Sequence, residues 1–155
     1  MLVAGIGNIF LGDDGFGVEV AGRLAAESLP QGVEVRDFGI RGMHLAYEML
    51  DGGYDTTILV DATPRGGTPG SLYLIEPDSG SAEVPSAPDA HAMNPNAVLA
   101  MLDALGGTPG RVLIVGCEPA SVEEGIGLSV PVANAIGDAV RFVRQIIDRE
   151  RAGGG

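Results

Sequence analysis

Met1-Leu2-Val3-Ala4-Gly5-Ile6-Gly7-Asn8-Ile9-Phe10-Leu11-Gly12-Asp13-Asp14-Gly15-Phe16-Gly17-Val18 opens the chain, and its reading decides how the rest folds. Leu2 to Ile6 is a short apolar run closed by glycine, the pattern of a buried strand. From Asp14 to about Glu27, the residues Val18, Ala21, Leu24 and Ala25 share one face at helical spacing. A strand, a glycine-rich turn and an amphipathic helix make the first half of a βαβ unit.

Outward from this stretch the alternation continues. Val33 to Phe38 reads as a second strand, and after Gly39-Ile40-Arg41-Gly42 the segment Met43 to Leu50 reads as a short helix. Thr57 to Ala62 is an apolar strand carrying Asp61 at its end. Gly66 to Gly70 is a turn, Ser71 to Glu76 a fourth strand, and Pro77 to Met93 a long polar loop rich in Ser, Pro and Ala. Asn94-Pro95 starts a helix with a capping side chain and a proline preset for the first turn, and Gly106-Gly107 stops it. Arg111 to Gly116 is a buried strand, and Val132, Ile136, Ala139, Val140, Val143 and Ile147 form the stripe of a final helix. The expectation is a three-layer α/β fold: a mostly parallel, twisted sheet of about five strands with helices on both faces. One domain over residues 1–151 is expected, with a disordered tail at 152–155.

Composition narrows the function. The 155 residues are 45% hydrophobic, enough for one core, and no apolar run approaches the roughly 20 residues that span a bilayer. No membrane association is expected. The start of the chain lacks the basic region and cleavage site of a signal peptide. Cys117, the single cysteine, allows neither an internal disulfide nor a multi-thiolate site. Both points lead to a cytoplasmic expectation. The formal charge of −12 repels phosphate backbones, so nucleic acid is not an expected partner.

Gly5-Ile6-Gly7-Asn8, with Asp37 at the end of the second strand, invites a dinucleotide reading. The third glycine of that fingerprint would fall at position 10, where Phe10 stands, so close packing at the helix start would be lost. Gly7 to Gly12 has P-loop spacing, but it continues into Asp13-Asp14, whose carboxylates repel phosphate. The ordinary role for Asp13 and Asp14 is to sit at the positive end of a helix, where each acid gains roughly 0.3–1 kcal/mol.

Chemistry gathers at the ends of the strands, where open parallel sheets bind ligands. Asp14 follows the first strand, Asp61 closes Ile58-Leu59-Val60-Asp61-Ala62, and His91 lies in the long loop. A charge at the end of an apolar strand is costly unless it is paired or binds a cation. Two carboxylates and an imidazole suit zinc, nickel or a similar divalent ion, with positions left open for substrate. His44 falls in a helical pattern and reads as a surface or packing residue. No Gly-x-Ser-x-Gly elbow occurs, and Cys117 after a buried strand reads as inert. Glu118, Glu123 and Glu124 read as solvated or rim residues with no assigned chemistry.

Taken together, these residues resemble the hydrogenase maturation protease family, whose members trim the C-terminal extension from nickel-containing hydrogenase large subunits. The resemblance spans nearly the whole chain. It rests on the run Gly5 to Val18, on Asp37 with Gly39 and Gly42, on Val60-Asp61-Ala62, on His91, and on Gly116 through Pro119 followed by Gly127-Leu128-Ser129. It implies that Asp14, Asp61 and His91 are the metal-contacting positions and that a hydrogenase large-subunit precursor is the partner. It also implies nickel carried in by that precursor, while another divalent ion can fill the site in the free protein. Asp13 or a ligand carboxylate is the expected general base. Residues 78–89 match no feature of the family. Two other readings are a nucleotide-binding Rossmann-like enzyme and a noncatalytic metal-binding maturation module.

Overall fold

The computed structural model describes residues 1–77, 94–108 and 110–153. The polar loop expected over Pro77 to Met93, and His91 with it, therefore falls almost wholly outside the described residues. Five strands form one sheet: β1 (Leu2–Ile6), β2 (Glu34–Gly39), β3 (Thr56–Ala62), β4 (Leu72–Ile75) and β5 (Arg111–Cys117). The helices are α1 (Phe16–Ala25), α2 (Gly42–Asp51), α3 (Pro95–Ala104) and α4 (Val130–Gly153), with a 3-10 turn at Gly12–Gly15 ahead of α1. The sheet order is β2-β1-β3-β5-β4. Every pairing is parallel except that of β4 with β5, which is antiparallel. This is the three-layer α/β architecture the sequence implies.

Strand periodicity divides the core into two. Val3, Ile58, Val60, Leu113 and Val115 face α1 and α4, where Phe16, Val20, Leu24, Ile136, Val143 and Ile146 are buried against them. Leu2, Ala4, Ile6, Leu59, Val112 and Ile114 face the other way, packing with Leu45 of α2 and Val98 of α3. Burying each large aliphatic side chain contributes about 1.5–3 kcal/mol, which explains why β1 and β3 have no exposed residue.

Several boundaries differ from those read in the sequence. The first helix begins at Phe16 rather than Asp14, because the two aspartates occupy the 3-10 turn. Asn94 caps α3 as its type dictates, accepting the Ala97 N–H at 2.9 Å. The final helix continues through Gly153, so Ala152 and Gly153 are helical where a disordered tail was expected. Residues 154–155 lie outside the described residues.

Close packing of α1 on the sheet is not lost by having Phe10 where a dinucleotide fold has its third glycine. Gly17 supplies it instead: a Cβ there would overlap the carbonyl oxygens of Val60 and Ile6, and one on Gly5 would overlap that of Gly17. The two glycines let helix and strand backbones touch.

Candidate active site

From β1 the chain crosses through α1 to β2 on one side, then returns through α2 to β3 on the other. Between β1 and β3 the strand order reverses, and the crevice beyond their carboxyl ends is where such sheets bind ligands. Asp14 follows β1 and Asp61 is the next-to-last residue of β3, so both expected ligands stand at this reversal.

Asp61 is 1% exposed, at the end of a strand with no exposed residue. Its Oδ1 accepts the N–H of Ala62 at 2.8 Å. Burial pushes its carboxyl well above the usual carboxylate range; the negative charge of Asp14 adds to the rise, and the Ala62 bond only partly opposes it. Asp14 is buried as well, and its Oδ2 accepts the Asn8 N–H at 2.7 Å. Gly7 lies between the two, with φ +134°, and a Cβ there would overlap the Asp14 carbonyl and approach Asp61 Oδ1 at 3.3 Å. Two mutually repelling buried carboxylates are a donor set that a divalent cation stabilises. Among the described residues no group of three or more His, Cys, Asp or Glu could hold a metal ion.

The loop from β1 into α1 spends its amides internally. The N–H of Gly7 donates to Gly39 O, that of Gly12 to Gly125 O, that of Asp13 to Ser121 O and that of Asp14 to Leu11 O. Those of Asn8 and Phe10 donate to the side chains of Asp14 and Asn8. A phosphate cradle needs such groups aimed outward. Asp37, at the ribose-binding place of a nucleotide fold, is likewise used locally: it accepts the N–H of Gly39, which has φ +54°. These bonds leave little of the nucleotide reading.

Asp13 differs from its neighbour. Its Oδ2 accepts the N–H groups of Ala120 at 2.8 Å and Ser121 at 3.1 Å and the hydroxyl of Ser129 at 2.8 Å. Its Oδ1 accepts the Ser129 N–H at 2.7 Å. Burial works to raise the pKa of this carboxyl, but the combined bonds from Ser129, Ala120 and Ser121 outweigh it and hold the group below the usual range. A carboxylate that accepts four hydrogen bonds and has a lowered pKa is a poor general base.

Glu118 also has a structural task that its position alone did not reveal. It is 4% exposed, and its Oε1 accepts the N–H groups of Arg65 and Gly67, both at 2.9 Å, and the Tyr73 hydroxyl at 2.7 Å. The Tyr73 bond leads in holding its carboxyl below the usual range. Glu118 thereby ties the β3–β4 connection to the end of β5. Glu118 was expected to be solvated or at the rim and is buried instead; a carboxylate directly after the buried strand Val112–Cys117, the signal that singled out Asp61, could have marked it. Cys117 is buried, and desolvation, with the charges of Asp13 and Glu118, pushes its thiol up to about 11. It is not poised as a nucleophile. His44 is exposed on α2.

Around the crevice, segments 5–18, 56–64 and 112–130 carry Asp13, Asp14, Asp61, Glu118, Glu123 and Glu124 and no Lys, Arg or His. Just beyond them, Arg41 shares a cleft with Gly7 and Asn8, and the Arg65 N–H donates to Glu118.

The family model for hydrogenase maturation proteases matches residues 18–146. The hydrogenase expression/formation protein HupD of Rhodobacter capsulatus is 34% identical, over 93% of this chain and 71% of its own length. A putative hydrogenase maturation protease of Methanocaldococcus jannaschii is 33% identical, over 92% of this chain and 93% of its own. Among solved structures, the hydrogenase maturating endopeptidase HybD from Escherichia coli superposes with a TM-score of 0.76 at 30% identity, covering 99% of this chain and 93% of that one. With its switch-point carboxylates, its sheet order and these similarities, the chain belongs to the hydrogenase maturation protease family.

Proposed function

We propose that this protein is an endopeptidase that removes the C-terminal extension of a nickel–iron hydrogenase large-subunit precursor after nickel has been inserted. The observation that carries the reading is the pair of buried carboxylates, Asp14 and Asp61, at the strand-order reversal. In this reading nickel arrives as part of the precursor, and Asp14, Asp61 and His91 are the side chains that meet it. The role of His91 rests on the family resemblance. Another divalent ion can occupy the same carboxylates in the free protein.

A bound divalent ion supplies Lewis acidity toward the scissile carbonyl or toward an attacking water. The protein's own contribution begins with Asp61. Burial and the charge of Asp14 favour its neutral form, and a cation held between the two carboxylates would favour the ionised one. Gly7 lets the Asp14 backbone approach Asp61, and Asn8 orients the Asp14 carboxylate. With Asp13 held by four hydrogen bonds, the proton of the attacking water goes to Asp14 or Asp61 in this reading. The partner is the precursor, and the cytoplasm is the proposed compartment; among the described residues no helix is long and apolar enough to cross a membrane.

The reading is tested by incubating the protein with nickel-loaded and nickel-free precursor and measuring intact masses. Loss of a C-terminal fragment from the loaded sample alone is expected. Equal cleavage of both samples would remove the nickel dependence. Metal binding with no cleavage of either would favour a noncatalytic maturation module.

A further inference from the structure

We infer that Asp13 is a positioning residue: its carboxylate fixes the Ala120–Ser129 segment as a preformed wall of the cleft at Asp14 and Asp61, the wall against which the precursor docks. The inference rests on the peptidase reading and goes beyond it by giving Asp13 a task other than proton transfer.

The bonds that Asp13 makes reach 107 to 116 residues along the chain. They join the turn that carries Asp14 to both ends of the segment between β5 and α4. Backbone pairing completes the joint. Asp13 N donates to Ser121 O at 3.0 Å, Gly12 N to Gly125 O at 2.9 Å, and Gly125 N to Phe10 O at 2.8 Å. Leu11 and Gly125 also form an isolated parallel bridge. Because the Asp13 side chain is 1% exposed, these charge-assisted bonds are shielded from water, and a segment with little regular structure is held in one place.

Beside the exposed Ser121, Glu123 and Glu124, this joint presents large apolar side chains. Phe10 is 58% exposed, Val122 49% and Ile126 80%. Phe10 and Ile126 flank the Gly125–Phe10 hydrogen bond, and Asp13 and Asp14 follow on the same turn. Exposed apolar side chains set among polar ones beside a site suit contact with a protein substrate. Their placement depends on the Asp13 tie, so the tie acts on substrate capture, whereas Asp14 is oriented separately by Asn8.

The test uses the full-length protein with Asp13→Asn and, separately, Ser129→Ala. An asparagine can replace one oxygen of the carboxylate but cannot accept on both sides, and the serine change removes only the hydroxyl donor. Amide hydrogen exchange at Ala120, Ser121 and Ser129 is expected to accelerate about tenfold or more in Asp13→Asn and less in Ser129→Ala. With precursor as substrate, KM is expected to rise about tenfold with kcat within about threefold, and the double variant to be no worse than Asp13→Asn because both changes strike one network. A kcat loss of about 100-fold or more at unchanged KM would instead make Asp13 a catalytic base and overturn the inference. Unaltered amide exchange in both variants would overturn the tie with no precursor needed. If the unaltered protein cleaves no loaded precursor, the peptidase reading fails, and with it the docking role; the exchange data then still judge the tie by itself.

Discussion

Asp61 and Asp14 meet across Gly7: the Asp61 Oδ1 would lie 3.3 Å from a Cβ at position 7, and the Asp14 carbonyl oxygen would overlap it. Only a residue without a side chain lets these backbones and the buried carboxylate come together, and the φ of +134° at Gly7 restricts the position to glycine a second time. Gly7→Ala is accordingly expected to cost about 3 kcal/mol or more, from strain and overlap together. Urea titration measures it, and an unshifted midpoint would mean that the close approach is not needed.

The raised pKa of Asp61 has a consequence for stability. An acid whose folded pKa lies above its unfolded value of about 3.9 retains its proton longer in the folded state. Between those two values the folded protein binds more protons, so this group's contribution to stability falls as pH rises, and the deficit persists above the folded pKa. In the absence of added metal, Asp61→Asn should match the unaltered protein near pH 4 and become the more stable of the two as pH rises. A divalent cation should raise the stability of the unaltered protein and leave the variant nearly unmoved. Denaturant titrations across pH, with and without nickel, would show a constant difference if Asp61 were ionised at no cost.

Cys117 should be silent. Its thiol is buried and pushed up to about 11, so little thiolate is present at neutral pH. Treating the folded protein with iodoacetamide is expected to leave both its mass and its precursor cleavage unchanged, whereas the urea-unfolded chain should take up one label. Rapid inactivation of the native protein would return Cys117 to the chemistry.

The fold was legible because its cause is local. Apolar runs such as Leu2–Ile6 and Ile58–Val60 are buried on both faces, and α4 repeats its stripe at helical spacing, so pattern and structure coincide. The antiparallel direction of β4 was not legible, since Leu72–Ile75 has no feature that states which way its neighbour runs. At the site, Asp61 showed itself as an acid on an apolar strand, a conflict between burial and charge visible in the sequence alone. Asp13 did not, because the groups it ties lie more than a hundred residues away and two adjacent aspartates look equivalent until their partners are known. Gly17 was hidden for a related reason. The close approach was sought at position 10, but the 3-10 turn delays the helix and moves the contact to the second residue of α1.

The most direct measurement is single-turnover cleavage of a nickel-loaded precursor by Asp61→Asn and Asp14→Asn, each first shown to be folded by its melting curve. If these carboxylates engage the nickel and direct hydrolysis, each variant should be slower by about 100-fold or more with its fold intact. Cleavage at the unaltered rate by either folded variant would contradict the role given to that residue, and by both would end the account of the site.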